Sequence, residues 1–267
     1  MKHIPMSVVT GLAAGLIGTA STALAVESVK VTSEARVFTN TSNANERLPY
    51  VVMKPSNWNA KKKYPLLVFL HGAGERGDDN QNQLKWGREW MEKAVTEFQA
   101  VVVAPQCPGD CRWVEVNWNL KAHDMPAEMS QPMRLLFDLL PGIEKEFAIN
   151  PARRYISGLS MGGYGTWDAL CRRPDYFAAG VPICGGADEK QAKAVARVPV
   201  WVFHGAVDGT VPVIRARNIV EAVKKAGGTP KYSEYPGVNH FSWVNAFIEP
   251  DLLKWLFQQK RTTGASG

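Results

Sequence analysis

The sequence predicts an α/β fold with a mostly parallel central sheet flanked by helices. Three observations carry that expectation. "YPLLVFL" (64–70) and "AVVVAP" (100–105) are unbroken β-branched and apolar runs, the composition of strands covered on both faces. Stretches with helical spacing alternate with such runs, which requires right-handed crossovers and parallel pairing. Finally, "YISGLSMGGYG" (155–165) sets four glycines around one serine, between an apolar run and a helical stretch.

In chain order, "VKVTSEARVFTN" and "ERLPYVVMKP" alternate as early strands, ahead of the strand at 64–70. "NQLKWGREWMEKAVTEF" (82–98) has helical spacing and precedes the strand at 100–105. "QPMRLLFDLLPGIEKEF" (131–147) is a second amphipathic helix, with Pro141 expected to break or kink it. There follow strand 155–158, helix 162–172, strands 178–184 and 198–204, helix 213–226, a short strand at 231–235 and a C-terminal helix at 241–259. Trp86 and Trp90, four apart, read as core positions of the first helix.

The chain holds 45% hydrophobic and 21% charged residues, an ordinary globular balance with no repeat or linker. Its N-terminus differs. Lys2 and His3 precede an apolar, small-residue run ending Ala23-Leu24-Ala25, the pattern of a secretory signal peptide over residues 1–25. Gly, Ser and Thr interrupt that run, which lacks the roughly 18 solidly apolar residues of a membrane span. Residues 26–267 then form one domain, exported to the periplasm or beyond, with no further membrane segment. The charge is mildly positive and scattered; Lys61-Lys62-Lys63 reads as a solvated edge. Without interleaved aromatic and basic residues, no nucleic-acid surface is expected.

Export makes the four cysteines candidates for pairing. Cys107 and Cys111 flank the turn sequence Pro108-Gly109-Asp110, which suits a small disulfide loop. Cys171 and Cys184 can pair or remain buried thiols. No further ligands at suitable spacing suggest a metal site.

Gly158-Leu159-Ser160-Met161-Gly162 is G-x-S-x-G, in the strand-then-helix context that makes the serine a nucleophile on a strained turn. A serine hydroxyl needs a base, and the base an orienting acid. In the chain order serine, acid, histidine, Asp208 follows a strand in "VWVFHGAVDGTVP" and His240 follows the last short strand in "YPGVNHFSW". Asp188 is the alternative acid; Asp168 and Asp175 read as helix-surface and cap residues. Of the other histidines, His71 and His204 end strands and suit loop bracing. Negative charge on a tetrahedral intermediate calls for two backbone N–H donors: Met161, after the nucleophile, and Ala73 in "HGAGERGDD", with Gly74 next. Glu75 and Arg76 are expected to brace that loop.

These segments, with "VVVAPQCP", "INPARRYISGLSMGGYGTWD" and "FAAGVPICGGAD", resemble the α/β-hydrolase superfamily, and within it exported bacterial esterases and peptidases related to the prolyl oligopeptidase catalytic domain. The resemblance spans about residues 47–258. It implies hydrolysis through an acyl-enzyme by Ser160, Asp208 and His240 without a cofactor. No N-terminal propeller precedes the domain, and residues 185–198 leave no room for a cap. An open site suits small or polymer-linked esters, such as acetyl or feruloyl groups on plant polysaccharides. A serine peptidase for short peptides and a non-enzymatic binding protein are the alternatives. The irregular stretch 106–131 holds Trp113, Trp118 and His123, which either wall the site or fasten the loop; Trp243 is a further border candidate. Nothing in the sequence bears on oligomeric state.

Overall fold

The computed structural model describes residue 1 and residues 28–261. The expected leader cleavage after Ala25 and the tail from residue 262 lie outside the described residues. The chain enters as an antiparallel hairpin, β1 (Val31–Thr39) and β2 (Arg47–Pro55), paired along its whole length from Val31 with Pro55 to Thr39 with Arg47. After it come β3 (Tyr64–Leu70), α1 (Arg88–Phe98), β4 (Val101–Pro105), α2 (Gln131–Glu146), β5 (Ile149–Leu159) and α3 (Met161–Arg172). The second half adds β6 (Ala179–Ile183), α4 (Ala192–Val195), β7 (Trp201–Gly205), α5 (Ile214–Lys225), β8 (Lys231–Tyr235), α6 (Trp243–Phe247) and α7 (Leu252–Gln258). The eight strands form one sheet in the order β1-β2-β4-β3-β5-β6-β7-β8. β2 meets β4 antiparallel, and every pairing from β4 to β8 is parallel.

The period of two sorts the core into two layers. On β3, Leu66, Val68 and Leu70 face one layer, and Leu67 and Phe69 the other; on β4, Val101 and Val103 oppose Val102 and Ala104. The first layer is closed by apolar faces of α2, α3 and α5, the second by α1, α6 and α7. Both faces of the central strands are covered, which is why they read as unbroken apolar runs.

Four expectations are corrected. The helix at 82–98 begins only at Arg88, so Trp86 lies ahead of it. Of the break or kink expected at Pro141, the break does not occur, and α2 continues to Glu146. Its missing N–H forfeits one backbone bond, but Leu139, Leu140 and Ile143 are buried on either side and hold the helix to the sheet. The C-terminal helix is two, α6 and α7, parted at Glu249-Pro250, where proline disfavours helical backbone in the residue before it. No disulfide forms. Cys107 is buried in the first layer, whereas the Cys111 sulfur turns outward toward Asp110 and Gln131. Cys171 and Cys184 lie in opposite layers, with the sheet between them.

Between β6 and β7 the chain carries only a 3-10 turn and the one-turn α4, so no separate cap covers the sheet. α2 starts at Ser130, whose Oγ accepts from the Met133 amide at 3.4 Å and donates to the Trp113 carbonyl at 2.7 Å. Ser130→Ala removes both bonds and should cost about 1 kcal/mol in urea unfolding, the usual loss for an N-cap. An unchanged midpoint would mean that the cap carries no weight.

Candidate active site

β5 runs into α3 through a single residue, Ser160, held at φ 54 and ψ −117. That is a costly conformation for a residue with a side chain. Neighbouring backbones crowd the turn so closely that side chains are excluded at Gly158 and Gly162. A Cβ on Gly158 would strike the Gly162 carbonyl and stand 2.8 Å from the Leu70 carbonyl oxygen; one on Gly162 would stand 2.5 Å from the Leu70 carbonyl carbon. Gly158 and Gly162 are therefore close-approach positions on either side of the residue that carries the hydroxyl.

The ends of β7 and β8 bring two partners to it. Ser160 Oγ lies 2.8 Å from His240 Nε2, and His240 Nδ1 lies 2.7 Å from Asp208 Oδ2. The other carboxylate oxygen, Asp208 Oδ1, accepts from the Thr210 and Val211 amides at 2.8 and 2.9 Å. Burial pushes the Asp208 carboxyl up, but hydrogen bonds from His204, His240 and the Val211 amide outweigh it and hold the group well below the usual carboxylate range. A carboxylate acceptor on Nδ1 leaves Nε2 as the ring's unprotonated nitrogen beside Ser160 Oγ. The rival acid, Asp188, is spent elsewhere: its carboxylate accepts from the Lys190 and Met125 amides, both at 3.0 Å. Asp168, expected on a helix surface, is buried and paired with Arg172 at 2.8 Å.

Cys184 brings a sulfur within 4.8 Å of ligand atoms on Asp208 and His240. The His240 nitrogen and Asp208 oxygen face each other at hydrogen-bond distance, so a proton occupies the space between them. Burial, reinforced by the Asp208 charge, pushes the Cys184 thiol well above its ordinary range, which makes it a packed thiol rather than a ligand or nucleophile.

Met161 and Ala73 each head a helical segment, and such leading N–H groups have no intrahelical acceptor. The Ala73 loop is fastened from behind. The Cys107 amide donates to His71 Nε2 at 2.9 Å, which fixes the imidazole proton on Nδ1, directed at the Gly72 carbonyl at 2.6 Å. Arg76 ties the Ala73 carbonyl to that of Cys111, at 2.9 and 3.2 Å. Glu75 does not pair with Arg76 but accepts from Trp86 Nε1 at 3.0 Å. His204, as its position suggested, holds loop backbone, the Val211 carbonyl at 3.0 Å.

Above Ser160 lies a cleft of about 330 Å³, bordered by Ala73, Glu75, Trp86, Trp118, Phe241 and Trp243. Of the four tentative contact residues, Trp118 and Trp243 line it. Trp113 does not: it is fully buried, donating to the His71 carbonyl at 3.1 Å and packing under Gly165. His123 does not either; its Nδ1 accepts from Arg215, and its ring rests near Tyr164. Sequence reasoning missed Trp86 and Phe241. Trp86 was assigned to a helix that starts two residues later, and Phe241, one residue after the histidine, carries no periodic signal.

A parallel sheet in this order, with a sharp strand-to-helix turn at Ser160 and His240 and Asp208 in hydrogen-bond sequence beyond it over the strand ends, defines an α/β-hydrolase fold. The chain belongs to the "Putative esterase" family, whose sequence profile matches residues 41–188. A thermostable esterase of known structure is 35% identical, with a TM-score of 0.78, over 86% of this chain and 63% of that one. An "Uncharacterized secreted protein" of Arthroderma benhamiae is 25% identical over 77% of this chain and 24% of its own length. The "Bifunctional acetylxylan esterase/xylanase XynS20E" of Neocallimastix patriciarum is 27% identical over 59% and 21%. The chain thus spans less than two thirds of each of these proteins.

Burial lowers both His71 and His123 to about 4 from an ordinary 6.5, with the Arg215 charge adding to the effect on His123. Each is neutral in the fold and takes up its proton more readily once unfolded. Their contribution to stability is therefore whole above pH 6.5 and is lost as pH falls toward about 4. Thermal midpoints measured from pH 7 downward should drop through that window. A flat midpoint would show that neither histidine is held neutral.

Proposed function

We propose that the protein is an exported serine hydrolase that cleaves carboxylic esters through an acyl-enzyme, with esters on plant polysaccharides, acetyl or feruloyl, as its substrate class. The observation that carries this reading is the continuous relay from Ser160 Oγ through His240 to Asp208, at 2.8 and 2.7 Å. In the proposed reaction His240 Nε2 takes the Ser160 proton as Oγ attacks the ester carbonyl carbon. The amides of Met161 and Ala73 receive the resulting oxyanion. Collapse of the intermediate expels the alcohol, which leaves with the proton from His240. Water, activated by the same nitrogen, then attacks the acyl-serine and releases the acid. Proton and charge return to their starting places, so the chain's own residues complete the cycle.

Membership of an esterase family, the likeness to a thermostable esterase and the acetylxylan esterase relative support the ester class. The lack of a cap leaves the cleft open to an ester that projects from a polymer. Export is supported by the sequence pattern of residues 1–25 and by the secreted relative. Among the described residues no helix is long and apolar enough to cross a membrane. Likeness to dipeptidyl peptidases, at 15% and 17% identity, extends to the fold alone.

Purified protein assayed on 4-nitrophenyl acetate and on a proline 4-nitroanilide separates the readings. Ester turnover should dominate and should vanish in Ser160→Ala with the fold intact by circular dichroism. Asp208→Asn should lower kcat by about 10⁴, because Nδ1 loses its ionised acceptor. Ester cleavage surviving in Ser160→Ala would overturn the nucleophile assignment, and comparable amide turnover would favour a peptidase.

A further inference from the structure

Glu75 lies in the loop after β3 and is only 6% exposed, yet it borders the cleft above Ser160. One of its oxygens, Oε1, accepts from Trp86 Nε1. No described residue donates to the other, Oε2. It packs against Gly72: a Cβ on that glycine would lie 2.8 Å from Leu159 Cδ1, 3.0 Å from Glu75 Oε2 and 3.6 Å from Ser160 Cβ. The missing side chain of Gly72 thus lets Leu159, Ser160 and the unbonded Glu75 oxygen converge on one spot beside the cleft.

Loop bracing does not account for this carboxylate. Arg76 and the His71 imidazole fasten the loop backbone, and Gln106 Nε2 takes the Glu75 carbonyl at 3.1 Å, all without that oxygen. Electrostatics makes it a liability, because a negative charge this close to the proposed oxyanion donors opposes the charge that develops there. Glu75 Oε2 is not among the fully enclosed side-chain atoms left without a partner, so it opens to the cleft, where a donor on a substrate can reach it. A cationic donor is disfavoured, since Lys85 already borders the same cleft. The rim favours a ring: Trp86, Phe241 and Trp243 are mutually edge-on or tilted, with centroids 4.8 to 5.9 Å apart, and form an aromatic wall beside His240.

We infer that Glu75 is a specificity residue, whose Oε2 accepts a hydrogen bond from a hydroxyl on a ring of the ester substrate held against the Trp86–Phe241–Trp243 wall. The inference rests on the ester-hydrolase reading. That ring is either a phenol on the acyl side or a sugar-like ring on the alcohol side, and the donor chemistry is the same.

Two matched pairs of esters test it by their ratios of kcat/KM. The acyl arm compares methyl 4-hydroxycinnamate with methyl 4-methoxycinnamate. The alcohol arm compares the monoacetate of cyclohexane-1,2-diol with cyclohexyl acetate. Wild type should prefer the hydroxyl-bearing member about tenfold or more in one arm, because a site built for a hydroxyl penalises its absence. Glu75→Gln keeps an oxygen for Trp86 but presents an NH2 to the substrate, so the preference should fall toward one. The responding arm identifies the ring. A wild-type ratio near one in both arms, or a ratio that survives Glu75→Gln, overturns the proposal while turnover of 4-nitrophenyl acetate leaves the ester reading standing. Failure to turn over any of these esters overturns both.

Discussion

The site depends on how closely the backbone of Leu70, at the end of β3, approaches the turn at Ser160. The Leu70 carbonyl lies where a Cβ on either Gly158 or Gly162 would have to go, so β3, β5 and the start of α3 touch without side chains between them. On the far side the Ser160 amide donates to the Ile183 carbonyl of β6 at 2.9 Å, and the Tyr164 amide closes the turn onto the Ser160 carbonyl at 3.1 Å. A positive-φ serine costs on the order of 1–3 kcal/mol, and only such over-determination keeps it in place. The same strand end starts the His71–Gly72–Ala73 loop. The proposed nucleophile and the proposed oxyanion donors are thereby measured from one reference point, and neither can drift independently of the other.

Asp208 and His240, the proposed acid and base, are placed by a comparable device nearer the β8 edge of the sheet. Gly205, the last residue of β7, abuts the Val238 and Asn239 carbonyls, and the Val207 amide donates to the Val238 carbonyl at 3.1 Å. The loop carrying Asp208 is therefore locked against the loop carrying His240 by backbone alone. Beneath them His204 spans Val211 and Asp208, holding both ends of the turn that presents the carboxylate. The parallel strands β3, β5, β7 and β8 thus each contribute one carboxyl-end loop, which is where an open α/β sheet gathers ligand-binding groups.

How legible this was in the sequence follows from the same physics. Strands buried on both faces, glycines at forced close approaches and the order serine, acid, histidine are all imposed by backbone geometry, so they leave marks that a linear reading recovers. Side-chain direction outside regular elements leaves none. Trp113 and Trp118 stand five residues apart in one irregular stretch, yet the first is fully buried under α3 and the second faces the cleft. Trp86 was misread for a related reason. Gly87, where a Cβ would strike the ring of Phe69, immediately precedes α1, so the helical spacing that links Trp86 to Trp90 spans a boundary and carries no meaning. The cysteine spacing misled because the 108–111 turn is closed by a backbone hydrogen bond at 3.1 Å and needs no sulfur bridge.

The uncapped cleft carries a consequence for selectivity. Enzymes that close a lid can exclude water and assemble contacts after binding, at the cost of a conformational step. Here the wall is Trp86, Phe241 and Trp243, set by α6 and by the turn before α1, and the floor is Ser160 with its glycine-packed surroundings. Discrimination must then come from groups already in place when the substrate arrives. An aromatic wall tolerates many rings and discriminates weakly among them, whereas a fixed carboxylate with one oxygen unbonded discriminates strongly by the presence of a donor. The combination suits a substrate whose bulk stays outside the protein and whose identity is expressed in one ring at the ester.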